Sequence, residues 1–532
     1  MAFNTGDPLA IPPSHFGLSN ISELGPSLGW IRNSLWLALN VSVLATLAGG
    51  LLAWIVARTD VPGRSTLTLL IILPYPMGSM VAAAAWAILG AKQNGLMNVA
   101  LSELFRHHVT LVNAYSVPGI VMVEALVATP VCFLLIESAL RNMDSTLEES
   151  ASVLGSGPIS TTARITLPLM LPSVLGALLF TFISSMSAFA VPSILGHSLS
   201  FHVATQQVYL LYNSFTPKYP QAAMIGVALV LISTVLVILV NRVLRRRTYA
   251  VIGGKGRPGK RVKLGRWKPA ALLVVYGYIF LGVVLPLAAL ITAALQATNN
   301  TSITHPRWTL HNFSYVLGTY PMTQKAISNS LILGVGTGVI GVLLATAVAV
   351  SVDRGRRAGR RGRGGRVMEI LTMAPQAIPG LIFGLAMLWL ILSLPFHLYG
   401  SVWSILIAFL VLFLPLAYRT VAGVVSQADS SLTEAARTLG ASRATATRTI
   451  AIPLLRSGMV AAAVLLFMLS MSEVGAAVML SGPDSPVLGP TLFNFYDSGG
   501  ISLVSALAVV QVAVVGVAIT IVRKVSGRWL NL

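Results

Sequence analysis

The sequence predicts an all-α, polytopic membrane protein made of two homologous halves. Three observations carry this: a composition too apolar for water, eleven apolar runs of spanning length, and a patterned loop that occurs twice. Of 532 residues, 55% are hydrophobic and only 10% are charged, with a mean hydropathy of +0.80. Soluble domains carry about 25% charged residues, so lipid is the solvent this composition fits. Residues 1–20 have no basic stretch followed by an apolar core and do not read as a signal peptide. The one cysteine, Cys132, lies inside an apolar run, so no disulfide forms within the chain.

A helix needs about 20 apolar residues to cross the hydrocarbon, because lipid leaves no partner for open backbone groups. The first half, residues 1–241, holds spans near 34–57, 67–90, 117–140, 171–196 and 222–243. A basic cytoplasmic linker, 242–270, follows. The second half, residues 271–532, holds spans near 271–295, 329–352, 369–394, 402–424, 455–480 and 503–523.

The net charge is +20, from 36 Lys and Arg against 16 Asp and Glu. Placing the loop after the first span in the cytoplasm leaves only Arg32, Lys92, Arg106, Lys218, Arg307 and Lys325 outside. The linker alone carries eleven basic residues, among them Arg245, Arg246, Arg247, Lys260 and Arg261, and loop 353–368 carries seven arginines. This positive-inside bias puts the C-terminus, with Arg523, Lys524 and Arg528, in the cytoplasm. Basic loops set this close to the spans face anionic lipid head groups rather than nucleic acid.

The halves repeat each other. Leu147-Glu-Glu-Ser-Ala-Ser-Val-Leu-Gly155 returns as Leu432-Thr-Glu-Ala-Ala-Arg-Thr-Leu-Gly440, an offset of 285 residues. The same offset pairs Ser116 with Ser401, Pro130 with Pro415, Asp144 with Asp429 and Ser185-Met-Ser187 with Ser470-Met-Ser472. Upstream, Asn33-Ser-Leu35 matches Asn329-Ser-Leu331, and Leu18 and Asn20 match Leu310 and Asn312. Both copies keep one membrane orientation, which implies a pseudo-two-fold axis along the membrane normal and a path at the interface. The span near 271–295 has no counterpart ahead of Leu18. With eleven spans Met1 is outside, and one N-terminal helix is expected to be missing, through a late start of the reading frame or a true loss.

The loops 144–168 and 429–453 each open on a capping box, Thr146-x-x-Glu149 and Ser431-x-x-Glu434. Each short helix should stop at Gly155 or Gly440 in the left-handed conformation. A second segment ends at Pro168 or Pro453, so a helix–turn–helix along the membrane face is expected.

This spacing resembles the EAA loop of ABC importer permeases: E-A-A, three residues, G, nine residues, I-x-L-P. One copy reads Glu434-Ala435-Ala436, Gly440, Ile450-x-Ile452-Pro453, and the other Glu149-Ser150-Ala151, Gly155, Ile165-x-Leu167-Pro168. The departures are Ser150 and Ile452. Asn40-Val, Ala53-Trp-Ile-Val-Ala-Arg58-Thr-Asp-Val-Pro-Gly63 and Asn94-Gly95-Leu-Met-Asn98 are similar to ferric-iron members of the fused ferric-iron, thiamine and aminoethylphosphonate group. The resemblance implies that the loops dock on two copies of a cytoplasmic ABC ATPase, which uses ATP and Mg. It also implies an extracytoplasmic binding protein, alternating access and the bacterial cytoplasmic membrane. Ferric iron is the solute it points to first.

No Walker A sequence is present, and Gly253-Gly-Lys-Gly-Arg-Pro-Gly-Lys260 has the wrong spacing, so the chain is read as no enzyme and as binding no cofactor itself. Ser185, Ser187, Ser470, Ser472 and Glu473 are the candidates for the translocation path, although serines also pack helices closely. Glu473 reads more readily as a hydrogen-bonding group between helices than as a transport ligand. It has Ala188 as its counterpart, and Glu124 has Phe409, so neither forms a symmetric carboxylate pair. All eight histidines, at 15, 107, 108, 197, 202, 305, 311 and 397, fall outside the cytoplasm, with spacings that match no metal-ligand set. A secondary transporter or a channel without an ATPase partner is the alternative. The duplicated loops argue against the first and the lack of a filter motif against the second.

Overall fold

A computed structural model describes residues 2–4, 15–107, 110–143, 146–246, 262–297, 307–357, 363–395, 398–427 and 431–526. Asp144, Asp429, Lys260, Arg261, Arg528, the Gly253–Lys260 stretch, His108, His305 and His397 lie outside the described residues. The chain is helical, and nine described helices are long and apolar enough to cross a membrane, or eleven if two bent pairs each count as one.

In chain order the elements used below begin with α1, Leu24–Arg58; α2, Arg64–Ile72; α3, Ser79–Leu89; and α4, Val117–Asn142. Next come α5, Thr146–Val153; α6, Leu167–Met186; α7, Ala190–Leu195; α8, Ala204–Asn213; α9, Tyr219–Arg246; α10, Lys268–Ile279; and α11, Leu285–Ala294. The rest are α12, Pro321–Arg357; α13, Arg363–Met373; α14, Gly380–Ser393; α15, Val402–Gln427; α16, Ser431–Thr438; α17, Ile452–Ser472; α18, Gly475–Leu480; α19, Leu488–Asp497; and α20, Ile501–Ser526.

Four apolar runs are not straight spans. The run near 67–90 is bent by 93° and that near 369–394 by 111°. Pro74, Pro76 and a left-handed Gly78 (φ +84°) sit at the first bend, Pro375 and Pro379 at the second. Proline removes the N–H the next turn needs, and glycine supplies the reversed backbone. The runs 171–196 and 455–480 stop early, at Met186 and Ser472, and restart as the short helices α7 and α18. Elsewhere prolines are absorbed. Four π-helical turns, Thr162–Thr166, Phe280–Val284, Tyr315–Thr319 and Thr447–Ala451, each end two residues before a proline. A wider turn relieves the clash of the ring with the preceding carbonyl.

The chain divides into two compact units. The first comprises Met1–Phe313 with Phe495–Val509, the second Ser314–Asn494 with Val510–Leu532. In the first unit α1, α4 and α6 pack on one another, and α10 and α11 lie against α2, α3 and α4. The Tyr278 hydroxyl donates to the Leu126 carbonyl at 3.0 Å. The packing boundary thus differs from the repeat boundary at 271, because the first span of the second repeat packs with the first unit. In the second unit α12, α15 and α17 form the matching trio, and α14 packs on α18.

The repeated Asn-Ser motifs have one job in both copies. Asn33 donates to the His202 carbonyl at 3.0 Å, and Ser34 accepts from the Ala204 amide at 2.8 Å. Asn329 donates to the Pro486 carbonyl at 2.9 Å, and Ser330 accepts from the Leu488 amide at 2.9 Å. Each pair fastens the first turn of α8 or α19 to a long span and satisfies a helix-start N–H. Asn20 likewise donates to the Ala2 and Asn4 carbonyls, as Asn312 does to those of Ala294 and Gln296.

Candidate functional site

The two patterned loops fold alike. In the first, Glu149 stands in the opening turn of α5 and is exposed with Ser150, while Ala151 is half-buried. In the second, Glu434 lies within α16, Ala435 is exposed and Ala436 is half-buried. The side chains of Thr146, Ser431 and Glu434 lie outside what is described, and so do both predicted capping boxes.

The glycines end the helices through the left-handed backbone, Gly155 at φ +83° and Gly440 at φ +91°. The Ser156 amide donates to the Ala151 carbonyl at 2.9 Å and the Ala441 amide to that of Ala436 at 3.0 Å. These are the six-to-one bonds of a Schellman cap, which satisfy carbonyls the helix leaves open. Just before each glycine an apolar side chain faces outward: Leu154 is 87% exposed and Leu439 is 88% exposed. Both lie between the long apolar helices rather than within them. A leucine held out by a rigid turn is an exposed apolar contact point.

The second segment differs from the expected helix–turn–helix. Pro158–Thr161 runs through the π turn Thr162–Thr166 directly into α6, and Arg443–Ala446 runs through Thr447–Ala451 into α17. Exposed Pro168 and Pro453 sit at the second positions of α6 and α17, where the wider π turn ahead of each accommodates the ring and the missing N–H. Each loop is therefore continuous with the span that follows.

A charged cluster absent from the sequence reading holds the first loop. Arg58, only 6% exposed, ends α1 and pairs with Glu148 of α5 (Nη1–Oε2 3.2 Å). The other Glu148 oxygen accepts from the Thr166 hydroxyl at 2.6 Å. Asp60 accepts from the Leu264 amide at 3.1 Å and pairs with Lys268 at 3.3 Å. The Leu264 N–H, ahead of the Lys268 charge, holds the Asp60 carboxyl below the usual carboxylate range. The only prior signal was an arginine placed directly after an apolar run.

The path candidates fall at the two helix breaks. Ser185 and Ser470 are buried near the ends of α6 and α17. The Ser470 hydroxyl has no partner among the described residues. Ser187 donates to the Ile183 carbonyl at 3.2 Å and Ser472 to that of Met468 at 3.0 Å. Glu473 lies in the break before α18, and its Oε1 accepts from the Ala476 amide at 3.0 Å. That bond closes three residues along the chain and caps α18 rather than joining it to another helix. Glu124 is buried in α4. Among the described residues no group of three or more His, Cys, Asp or Glu could hold a metal ion.

A model of the family described as the binding-protein-dependent transport system inner membrane component matches twice, over residues 42–249 and 339–531. The chain is similar to a ferric transport system permease protein of Actinobacillus pleuropneumoniae, 25% identical over 511 residues that cover 91% of this chain and 70% of the relative. A putative ferric transport system permease protein of Haemophilus influenzae is 24% identical over 86% of this chain and 71% of its own length. A putative 2-aminoethylphosphonate transport system permease protein of Salmonella paratyphi A is 29% identical over 47% of this chain and 92% of its own length.

Proposed function

Because the chain belongs to the family of binding-protein-dependent transport system inner membrane components, we propose that it supplies both permease halves of an ATP-driven importer. The observation that carries this is the pair of Gly-capped loops with one geometry, each fused to a span. Glu149, Ser150, Ala151, Gly155 and Pro168, with Glu434, Ala435, Ala436, Gly440 and Pro453, form two docking elements for two copies of a cytoplasmic ATPase. That partner binds ATP and Mg. An extracytoplasmic binding protein delivers the solute to the outer loops, and the C-terminus is cytoplasmic. Solute passes Ser185, Ser187, Ser470 and Ser472, with Glu473 shaping the break beside them. Ferric iron is the proposed substrate, on the strength of two ferric permease relatives that run through both halves.

The test is uptake of radiolabelled ferric iron by cells carrying the chain with its ATPase and binding protein. Glu149→Lys with Gly155→Asp, or Glu434→Lys with Gly440→Asp, should release ATPase and abolish uptake while the folded permease stays in the membrane. Native mass measurement should give two ATPase chains per permease. One ATPase, or unaltered uptake in both double variants, would refute the reading. Uptake blocked by 2-aminoethylphosphonate but indifferent to iron would replace the substrate.

A further inference from the structure

The cytoplasmic end of α1 carries more than a helix end requires. The Arg58 carbonyl accepts from the Val262 amide at 2.9 Å, and Thr59 pairs with Val262 as an isolated bridge. The Asp60 carboxylate takes the Leu264 amide and Lys268. Residues 262–268 lead straight into α10, the first span of the second repeat. On its other side the same α1 end grips the first ATPase loop through Glu148, which also accepts from Thr166 where that loop joins α6. Three consecutive residues, Arg58 to Asp60, therefore meet the coupling helix, the root of its span and the exit of the linker.

The second repeat lacks this arrangement. At the offsets of the repeat, Arg58 corresponds to Arg354, Asp60 to Arg356, Glu148 to Thr433 and Thr166 to Ala451. Both acids and the hydroxyl are gone, and Arg354 is exposed where Arg58 is buried. A need common to every such loop would appear in both copies. The part peculiar to the first copy is the linker to which it is fastened.

Resting on the importer reading, we propose that Arg58, Asp60 and Glu148 are positioning residues that clasp the first ATPase loop to the start of α10. Motion imposed on that loop is carried into α10 as well as α6, whereas the second loop drives α17 alone. Arg58 Nε and Nη2 are buried without a partner among the described residues. Removing Glu148 would therefore strand a buried cation, a far larger perturbation than loss of a surface pair.

The test uses the full permease–ATPase complex in lipid nanodiscs. The readouts are ATPase chains bound per permease and the ratio of binding-protein-stimulated to basal ATP hydrolysis. Glu148→Gln and Asp60→Asn should keep both ATPases bound yet lower that ratio about tenfold, the effect of losing ~1.4 kcal/mol of coupling. Arg58→Lys, which keeps the charge, should recover most of it. Arg58→Gln combined with Glu148→Gln should be no worse than either alone, because both break one link. Arg354→Gln should leave the ratio unchanged.

Spin labels at Ser156→Cys and Arg266→Cys, with Cys132→Ser, give a second readout independent of turnover. Their separation should be the same in nucleotide-free and ATP-trapped complexes, and should differ between these states once Asp60→Asn is added. Normal coupling in Asp60→Asn, or equal sensitivity at Arg354, overturns the clasp alone. A wild-type chain that binds no ATPase overturns the importer reading with it.

Discussion

Substituting Gly440 isolates what the left-handed turn is worth. A Cβ built on Gly440 meets nothing within 4 Å, and the same holds at Gly155. Gly440→Ala therefore adds no clash, and its whole cost is backbone. Holding an L-residue in the left-handed region costs roughly 1–2 kcal/mol. The end of α16 would respond by releasing the Ala441-to-Ala436 bond and turning Leu439 away. A penalty of that size lowers the share of correctly presented turns by a factor of roughly 5–30, and the apparent affinity for the ATPase falls with it. Gly440→Asn is the control, since asparagine visits this region readily. It should lose only a small part of the effect. The assay is titration of purified ATPase onto permease in nanodiscs, read as bound fraction, with the Gly155 variants in parallel. Equal losses for Ala and Asn, or no loss for Ala, would refute the claim that the positive φ presents the docking surface.

Three further outcomes follow from the same geometry. Leu154→Asp and Leu439→Asp should each weaken ATPase binding without changing the thermal stability of the isolated permease, because neither side chain packs inside it; calorimetry beside the titration checks this. Ser34→Ala and Ser330→Ala should each destabilise by about 1–3 kcal/mol, the cost of a buried amide left unpaired. Thermal unfolding in detergent should show similar losses for the two. Asp60 titrates below the usual carboxylate range, so its contribution is present above the unfolded-state value and is lost only as pH falls through the lowered one. Coupling should be flat between pH 6 and 8 in the wild type, and a fall near neutrality that Asp60→Asn removes would contradict the assignment.

The loops were legible because their determinants are local. A glycine after eight helical residues is a stop signal at any depth of the fold, and both glycines adopt the turn expected of them. The helix continuing through Pro168 and Pro453 was not legible in the same way, since proline ends some helices and opens others. Its effect here depends on the π turn before it. Hydropathy found the apolar runs but not their direction, because the criterion ignores a bend between residues 72 and 79. Nor does hydropathy say what a span packs on, so the union of α10 and α11 with the first unit stayed hidden. The Arg58–Glu148 pair joins residues far apart in sequence, where neither spacing nor periodicity carries a signal.

The repeat is also informative where it breaks, at Ala188 and Glu473. Both positions fall just after a long span ends and before a short buried helix begins. In the first copy the Thr205 hydroxyl donates to the Ala188 carbonyl and steadies the break from α8. Gly489 occupies the matching place in α19, and a Cβ there would lie 2.5 Å from the Glu473 carbonyl oxygen. The space given up by threonine is what lets the chain of the second copy close in. Its break is steadied from within, by the Glu473 carboxylate on the Ala476 amide, with Gly380 leaving room beside it. Two chemistries thus hold one turn, and only one of them needs a side-chain oxygen as acceptor. An amide oxygen serves that bond as well, so Glu473→Gln should assemble and import normally. Glu473→Ala should lose about 1 kcal/mol of capping and import poorly. Uptake lost in Glu473→Gln with assembly intact would show that the charge itself, rather than the cap, is what the path requires.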